Sequence, residues 1–336
     1  MNALEKAWYR KPSWPQVFLP LAGLFQAVTA LRKRILQNRY QGKAFRVPVV
    51  IIGNINIGGT GKTPLIIALA RQLDAIGIKA GIVSRGYGGN AGPLPMSVLA
   101  TSSVQQCGDE ALLIARRTAC PVVVCADRVA AVNHLLAENE VDVILSDDGL
   151  QHYRLHRDVE IVVIDGQRGL GNGHCLPAGP LRESPRRLHS VDGIVINGLE
   201  NDGLAEFSLA NHEALQVQTY PMTLKPSQFT NLVSRKIVNA EQWCHGQSVH
   251  AVAGIGNPER FRDTLIALGL KPELHRFPDH HSFTAADINF DDDWPVVMTA
   301  KDAVKCESLN NSECWFLEVE AIIPSELLEI ISDNIH

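Results

Sequence analysis

The segment Gly53-Asn54-Ile55-Asn56-Ile57-Gly58-Gly59-Thr60-Gly61-Lys62-Thr63 constrains this chain more than any other. It follows the apolar run Val47–Ile52 and precedes a helical pattern over Lys62–Ile76, the position of a nucleotide phosphate loop. Glycines let backbone N–H groups converge on phosphates, and the new helix points its positive end at them. Gly58, Gly59, Thr60, Gly61, Lys62 and Thr63 are thus the expected nucleotide-binding residues, with Lys62 reaching the β- and γ-phosphates and Thr63 offering a hydroxyl to Mg²⁺. Asn56 stands where the strict G-x-x-x-x-G-K-[ST] pattern has glycine. The G-G-x-G-K-T form is that of partitioning and metallochaperone ATPases, which carry a lysine where this chain has Ile57.

A loop of this kind belongs to a parallel sheet flanked by helices, and the chain alternates accordingly. Strands are expected at Val47–Ile52, Ala80–Ser84, Val122–Cys125, Val143–Leu145, Ile161–Ile164 and Gly193–Ile196, with helices at Lys62–Ile76, Asp109–Arg117 and Arg128–Glu138. Residues 47–200 read as one doubly wound, mainly parallel α/β domain of P-loop NTPase type. Residues 201–248 read as a linker with a strand pair near Leu215–Tyr220 and Thr230–Val238. A smaller α/β domain over 249–336 follows: His250–Gly254, a helix Pro258–Leu268, Leu274–Phe277, Val296–Met298, Phe316–Val319 and a closing helix from Pro324. A length of 336 residues fits two such domains.

Residues 1–46 differ from the rest. They carry nine basic residues against the single acid Glu5, a local +8, so the remainder carries −13 of the net −5. Val17, Leu21, Leu24, Val28, Leu31 and Ile35 fall on one helical stripe, with Arg32, Lys33 and Arg34 crowding its end. This basic amphipathic helix has two readings, docked on the protein core or lying in an anionic membrane interface. Pro20, Gly23 and Gln26 interrupt the apolar run Gln16–Leu31, so no bilayer-spanning segment is expected. The net charge excludes a chain basic all over that coats nucleic acid, and the seven cysteines contain no C-x-x-C pair, which fits a reducing compartment.

The loop needs an acid for its metal, and Val143-Ile144-Leu145-Ser146-Asp147-Asp148 has the form of a Walker B strand. Two further motifs are weaker. Gly254-Ile255-Gly256-Asn257-Pro258-Glu259 lacks the third glycine of a dinucleotide fingerprint and reads as an ordinary strand-to-helix loop. Thr299-Ala300-Lys301-Asp302 resembles the guanine-reading motif with its lysine one place late, and reads as nucleotide-proximal or domain-clamping, or else as simple helix-start chemistry.

Together these residues resemble the tetraacyldisaccharide 4'-kinases, the lipid A 4'-kinases. The matching segments are the loop through Pro64, Ser84-Arg85-Gly86-Tyr87-Gly88, Gly108-Asp109-Glu110, Ala126-Asp127-Arg128, Asp147-Asp148-Gly149-Leu150-Gln151-His152, Pro180-Leu181-Arg182-Glu183, Phe277-Pro278-Asp279-His280-His281 and Thr299–Lys305. Ala300 departs from the Thr-Glu-Lys-Asp common in that family.

The resemblance implies transfer of the γ-phosphoryl of ATP, with Mg²⁺, to the 4'-hydroxyl of an acylated glucosamine disaccharide 1-phosphate, by a peripheral enzyme at the cytoplasmic face of the inner membrane. It implies an anionic membrane surface and a lipid substrate as partners, with neither nucleic acid nor an obligate protein partner. It assigns catalysis to Asp109 and His280, alongside Lys62, Asp147 and Asp148, although spacing does not separate His280 from His281. It places Thr63, Asp148 and Glu183 near the metal, and Arg85, Arg128, Gln151 and His152 near the sugar or its phosphate. The competing readings are a soluble ATPase or GTPase switch of the partitioning or metallochaperone type and a nucleotide-regulated membrane scaffold. The first predicts metal-binding C-x-x-C or nucleotide-driven dimerisation, and the second needs no base at position 280.

Overall fold

A computed structural model describes residues 3–9, 14–40, 44–90, 92–199, 203, 217–243 and 245–335. Its frame is a single sheet of thirteen strands. In chain order they are β1 (Val49–Gly53), β2 (Ala80–Ser84), β3 (Met96–Val98), β4 (Val122–Val124), β5 (Val143–Asp147), β6 (Val159–Asp165), β7 (Gly193–Asn197), β8 (Thr219–Asn231), β9 (Ile237–Asn239), β10 (Ser248–Ala253), β11 (Lys271–Arg276), β12 (Val296–Thr299) and β13 (Cys314–Ile322). They lie side by side in the order β11-β10-β12-β13-β8-β7-β6-β1-β5-β2-β4-β3, with β9 on β8. Pairing is parallel except at β3/β4, β8/β9 and β8/β13.

The central strands are covered on both faces, so every residue of β1, β2, β5, β6 and β7 is buried. Alternation along β1 shows why: Val50 and Ile52 pack with Leu65 and Leu69 of the helix Lys62–Ala75, while Val49 and Ile51 pack on the other face with Leu135 and Ile194. The C-terminal half repeats the pattern, with Val249, Ala251 and Ala253 on one side of β10 and Val252 on the other.

Strand and helix positions follow the hydrophobic pattern to within a few residues. The short edge strand β3 and the helix Ala300–Cys306 add to the elements expected from it. The stretch expected as a linker carries the thirteen-residue β8, whose Phe229 pairs with Val238 of β9. Its first residues run parallel to β7, and from Thr223 onward it runs antiparallel to β13. Leu215 and Gln216, the start of the expected strand pair, lie outside the described residues.

The N-terminal stripe does not pack on the core. In the helix Leu19–Tyr40 and the turn before it, Val17, Leu21, Leu24, Val28, Leu31 and Ile35 are each 54–71% exposed. The opposite face meets the protein: Ala22 is buried, Phe25 packs against the core, the Lys33 ammonium lies over the Tyr153 ring and Tyr40 faces Arg154. Helix continues through Gly23 and Gln26, with Pro20 in its first turn where no N–H is missed. Against the expectation from those breaks, Trp14–Tyr40 is therefore long and apolar enough to cross a membrane by length and composition.

Candidate active site

The C-terminal ends of the parallel strands from both halves open into one cleft of about 1020 Å³. This is where an open α/β sheet places its ligands. β1 leads into the phosphate loop, β2 into Ser84 and Arg85, β5 into Asp147 and Asp148, β10 into Ile255 and Gly256, and β11 into Phe277 to His280.

Gly61 takes a φ of +99° as N-cap of the helix Lys62–Ala75, and Gly58 has the same φ, a conformation that a side chain disfavours. Asn197, at the end of β7, donates to the Thr60 carbonyl at 2.9 Å and accepts from Arg260 of the helix Pro258–Ala267 at 2.9 Å. That helix start is ordinary, with Asn257 as N-cap and Pro258 next, so the dinucleotide pattern has no part in it. Gly256 has another use: a Cβ there would lie 2.6 Å from the Gly59 nitrogen, so only glycine lets the two loops meet.

Opposite the loop stand the β5 carboxylates. Asp147 is 1% exposed and accepts from the Ser84 hydroxyl at 2.9 Å, while its Oδ1 has no partner. Burial, reinforced by the Glu110 and Asp148 carboxylates, pushes its pKa up. Asp148 sits at a left-handed φ of +48° and meets Lys62 Nζ and Arg182 Nη1, both at 3.2 Å. Burial works against its ionisation, but Lys62 and Arg182 override this and hold its pKa at about 2. A buried carboxylate oxygen with no donor, beside an ionised neighbour and next to the Thr63 helix start, is an oxygen donor set suited to a hard divalent cation.

Across the cleft, His280 Nδ1 lies 3.1 and 3.2 Å from the two oxygens of Asp109. Asp109 opens the helix Asp109–Arg117, but Gly108 is its N-cap and the carboxylate is 3% exposed, turned toward the other half of the molecule. Burial raises its pKa, yet the hydrogen bond with His280 and the charges of Lys301 and Lys305 overcome this and leave it lowered. An ionised Asp109 accepts a proton from Nδ1, which leaves Nε2 on the other edge of the ring, 3.8 Å from Asp279 Oδ1. His280 also has a left-handed φ, +60°, and its ring lies against Tyr87 at 4.6 Å. Strained backbone of this sort clusters where geometry is functional. His281 is separated from the site: it stacks on Phe277 and meets Asp287 at 3.3 Å.

The four expected substrate contacts divide. Arg85 lines the cleft. Arg128 is buried and donates to the Cys125 carbonyl at 2.9 Å and the Asp147 carbonyl at 3.5 Å, which fixes the β5 end from behind. Gln151 bridges the Asn54 carbonyl and Glu183, at 3.2 and 2.8 Å. His152 is outside the lining, and burial with Arg128 nearby lowers its pKa to about 4. Glu183 also differs from expectation: its oxygens accept from Gln151 and the Tyr153 hydroxyl and face Arg187, so in this arrangement they bind protein groups and do not line the cleft.

Two cleft residues, Arg182 and Arg168, have no signal of their own in the sequence. Arg182 sits inside a motif segment, and its neutralising role emerges only once β5 is placed beside it. Arg168 reaches the Gly256 carbonyl, while Lys301 joins Glu110 at 2.9 Å and Asp279 at 3.2 Å, tying the two halves beside the dyad. Thr299 accepts from the Asp302 amide as a helix cap, so that motif performs both of its expected roles, clamp and helix start.

A family model described as tetraacyldisaccharide-1-P 4'-kinase, LpxK, matches residues 14–336. The tetraacyldisaccharide 4'-kinase of Ectopseudomonas mendocina strain ymp is 47% identical over 324 residues, covering 96% of this chain and 93% of that one. That of Hahella chejuensis is 42% identical over 339 residues, covering 99% and 96%. The crystal structure of an "apo" form of LpxK from Aquifex aeolicus in complex with ATP has a TM-score of 0.77 at 25% identity, covering 96% of this chain and 99% of that one.

Proposed function

Because the chain belongs to the tetraacyldisaccharide 4'-kinase family, we propose that the two walls of its cleft divide one phosphoryl transfer between them. The enzyme transfers the γ-phosphoryl group of ATP to the 4'-hydroxyl of a tetraacyl glucosamine disaccharide 1-phosphate in lipid A biosynthesis, using ATP and Mg²⁺. The site residues below are our assignment.

Gly58 to Thr63 hold the β- and γ-phosphates, and Lys62 meets the charge that develops on the transferred group. Thr63 with Asp147 or Asp148 would hold Mg²⁺, which when bound would neutralise charge on the phosphates. Asp148 already pairs with Lys62 and Arg182, so it orients both cations toward the phosphates. On the facing wall His280 takes the 4'-hydroxyl proton at Nε2, and Asp109 holds the ring in that tautomer and stabilises the imidazolium that results. Arg85 offers planar donors to the sugar or its phosphate.

The single observation that carries this reading is the Asp109–His280 pair spanning the cleft at 3.1 Å. A P-loop protein that merely binds nucleotide has no use for a histidine base reached from the second half, and one that hydrolyses it would pass no label to lipid. The test is transfer of label from γ-labelled ATP to the tetraacyl disaccharide 1-phosphate, comparing parent with Asp109→Asn. A kcat reduced 10²- to 10⁴-fold with KM for lipid little changed is expected, about the range of general-base catalysis. An unchanged kcat, or a loss confined to KM, would overturn it.

The N-terminal helix lies in the membrane interface. Its inward face is already occupied by protein, so lipid cannot surround it as it would a spanning helix, while its outward face is a continuous apolar strip ending in Arg32 and Arg34. The enzyme is then peripheral at the cytoplasmic face, where anionic headgroups attract those arginines.

A further inference from the structure

Away from the cleft, at the edge of the sheet, β10 and β11 bring two histidines together. His250 is buried and His275 half-buried, with Nδ1 of the first 3.0 Å from Nε2 of the second. Glu273, exposed on β11, places an oxygen 4.0 Å from the same His275 Nε2, and the three ligand atoms lie within 4.8 Å of one another. The orientation of His250 is fixed from behind. Its Nε2 lies 3.0 Å from Asp292 Oδ1, which is itself held by the Trp294 amide at 3.0 Å, and Phe290 stacks on the ring at 3.7 Å.

An Nε2–H donated to Asp292 leaves the Nδ1 lone pair of His250 pointing at His275. This is the arrangement by which a carboxylate orients a metal-bound imidazole. We propose that His250 Nδ1, His275 Nε2 and Glu273 form a binding site for one divalent transition ion of the zinc type, with Asp292 as the orienting carboxylate. Tetrahedral zinc with bonds of about 2.0–2.1 Å sets its ligand atoms roughly 3.3 Å apart, so the 3.0 Å and 4.0 Å separations need only small side-chain movements. Two neutral imidazoles and one carboxylate leave a fourth position for water. Borderline nitrogen ligands select against Mg²⁺, so the site does not compete for the ion of the cleft. Bound there, the ion would clasp β10 to β11, the strand that continues into Phe277 and the His280 loop.

The test uses the full chain, stripped with chelator and titrated with Zn²⁺ against a chromogenic competitor in saturating Mg²⁺. One equivalent bound at micromolar zinc or tighter is expected, with binding weakened 10- to 100-fold in Asp292→Asn. It should be lost in His275→Gln, which keeps a half-buried polar side chain, and weakened in Glu273→Gln, which alters only an exposed one. Zinc should raise the melting temperature of the parent and leave that of His275→Gln where it was. No zinc bound by the parent, or equal affinity in parent and His275→Gln, would overturn the assignment, and neither result depends on the kinase activity.

Discussion

Replacing Leu24 and Val28 together by serine separates the proposed membrane contact of the N-terminal helix from its contact with the protein. The two side chains are 62% and 57% exposed. Full burial of such a side chain contributes about 1.5–3 kcal/mol, so burying the exposed part in lipid contributes about 1–2 kcal/mol apiece. The pair therefore accounts for about 2–3.5 kcal/mol of interfacial binding, roughly a 30- to 400-fold loss of vesicle affinity in the double variant. Folded stability should change by no more than about 0.5 kcal/mol, as for other surface positions, which moves the melt by about 2 °C or less. Sedimentation with anionic vesicles at several salt concentrations, beside a thermal melt, measures both quantities. The loss should persist at every salt concentration, and turnover on detergent-dispersed lipid should fall less than turnover on vesicles. A melt far below that of the parent, with both substrates equally affected, would show that the strip is packed in protein and refute the reasoning.

The charges of the same helix divide further: Arg32 and Arg34 to Gln should cost about 1 kcal/mol each in anionic-vesicle binding and flatten its salt dependence, whereas Lys33, turned toward Tyr153, should contribute little to that dependence. Lys62→Ala should abolish lipid phosphorylation while leaving the melt near that of the parent; near-normal turnover with an unchanged melt would remove the loop from the mechanism. His280→Ala combined with Asp109→Ala should be little worse in kcat than either alone, as for residues acting as one unit, and multiplicative losses would show independent roles. His152, with a folded pKa of about 4 against 6.5 when unfolded, takes up its proton more readily in the unfolded chain, so stability should fall as pH drops from about 6.5 toward 4. The loss should be visible as a fall in melting temperature between pH 7 and pH 5, and His152→Gln should remove it from the melting curve.

What can be read from the sequence follows from how local each cause is. The phosphate loop, the strand ending in Asp147-Asp148 and the helix from Asp109 are set by adjacent residues, and their bounds hold to within a few positions. The partnership of Asp109 with His280 is legible only through family resemblance, because no local pattern links residues that the fold alone brings within 3.1 Å. Arg182 escapes a reading of the sequence for the same reason, since its charge matters only beside Asp148. Arg128, Gln151 and His152 sit in the right motifs, yet Arg128 and Gln151 carry carbonyl and carboxylate contacts that support the wall, and His152 lies outside the lining. The helical period of the N-terminal stripe is legible, but the side facing water is not, because period gives a face and only packing gives its direction.

Strand β8 ties the two halves more tightly than a linker would. Its first residues complete the edge of β7 and its later ones complete that of β13, so one uninterrupted backbone serves as a border to both. A chain ended near residue 200 would present the whole of β7, Gly193–Asn197, as an unpaired and buried-type edge, a template for self-association. The ribosome meets the same problem, because the nucleotide-binding half emerges first and stays open on that side until β8 follows. Opening of the cleft is limited in the same way. β8 pairs with β7 up to Met222 and with β13 from Thr223, so the two halves are joined there by continuous sheet. Substitutions in this strand therefore act on both walls of the cleft at once, and should alter turnover from outside the active site.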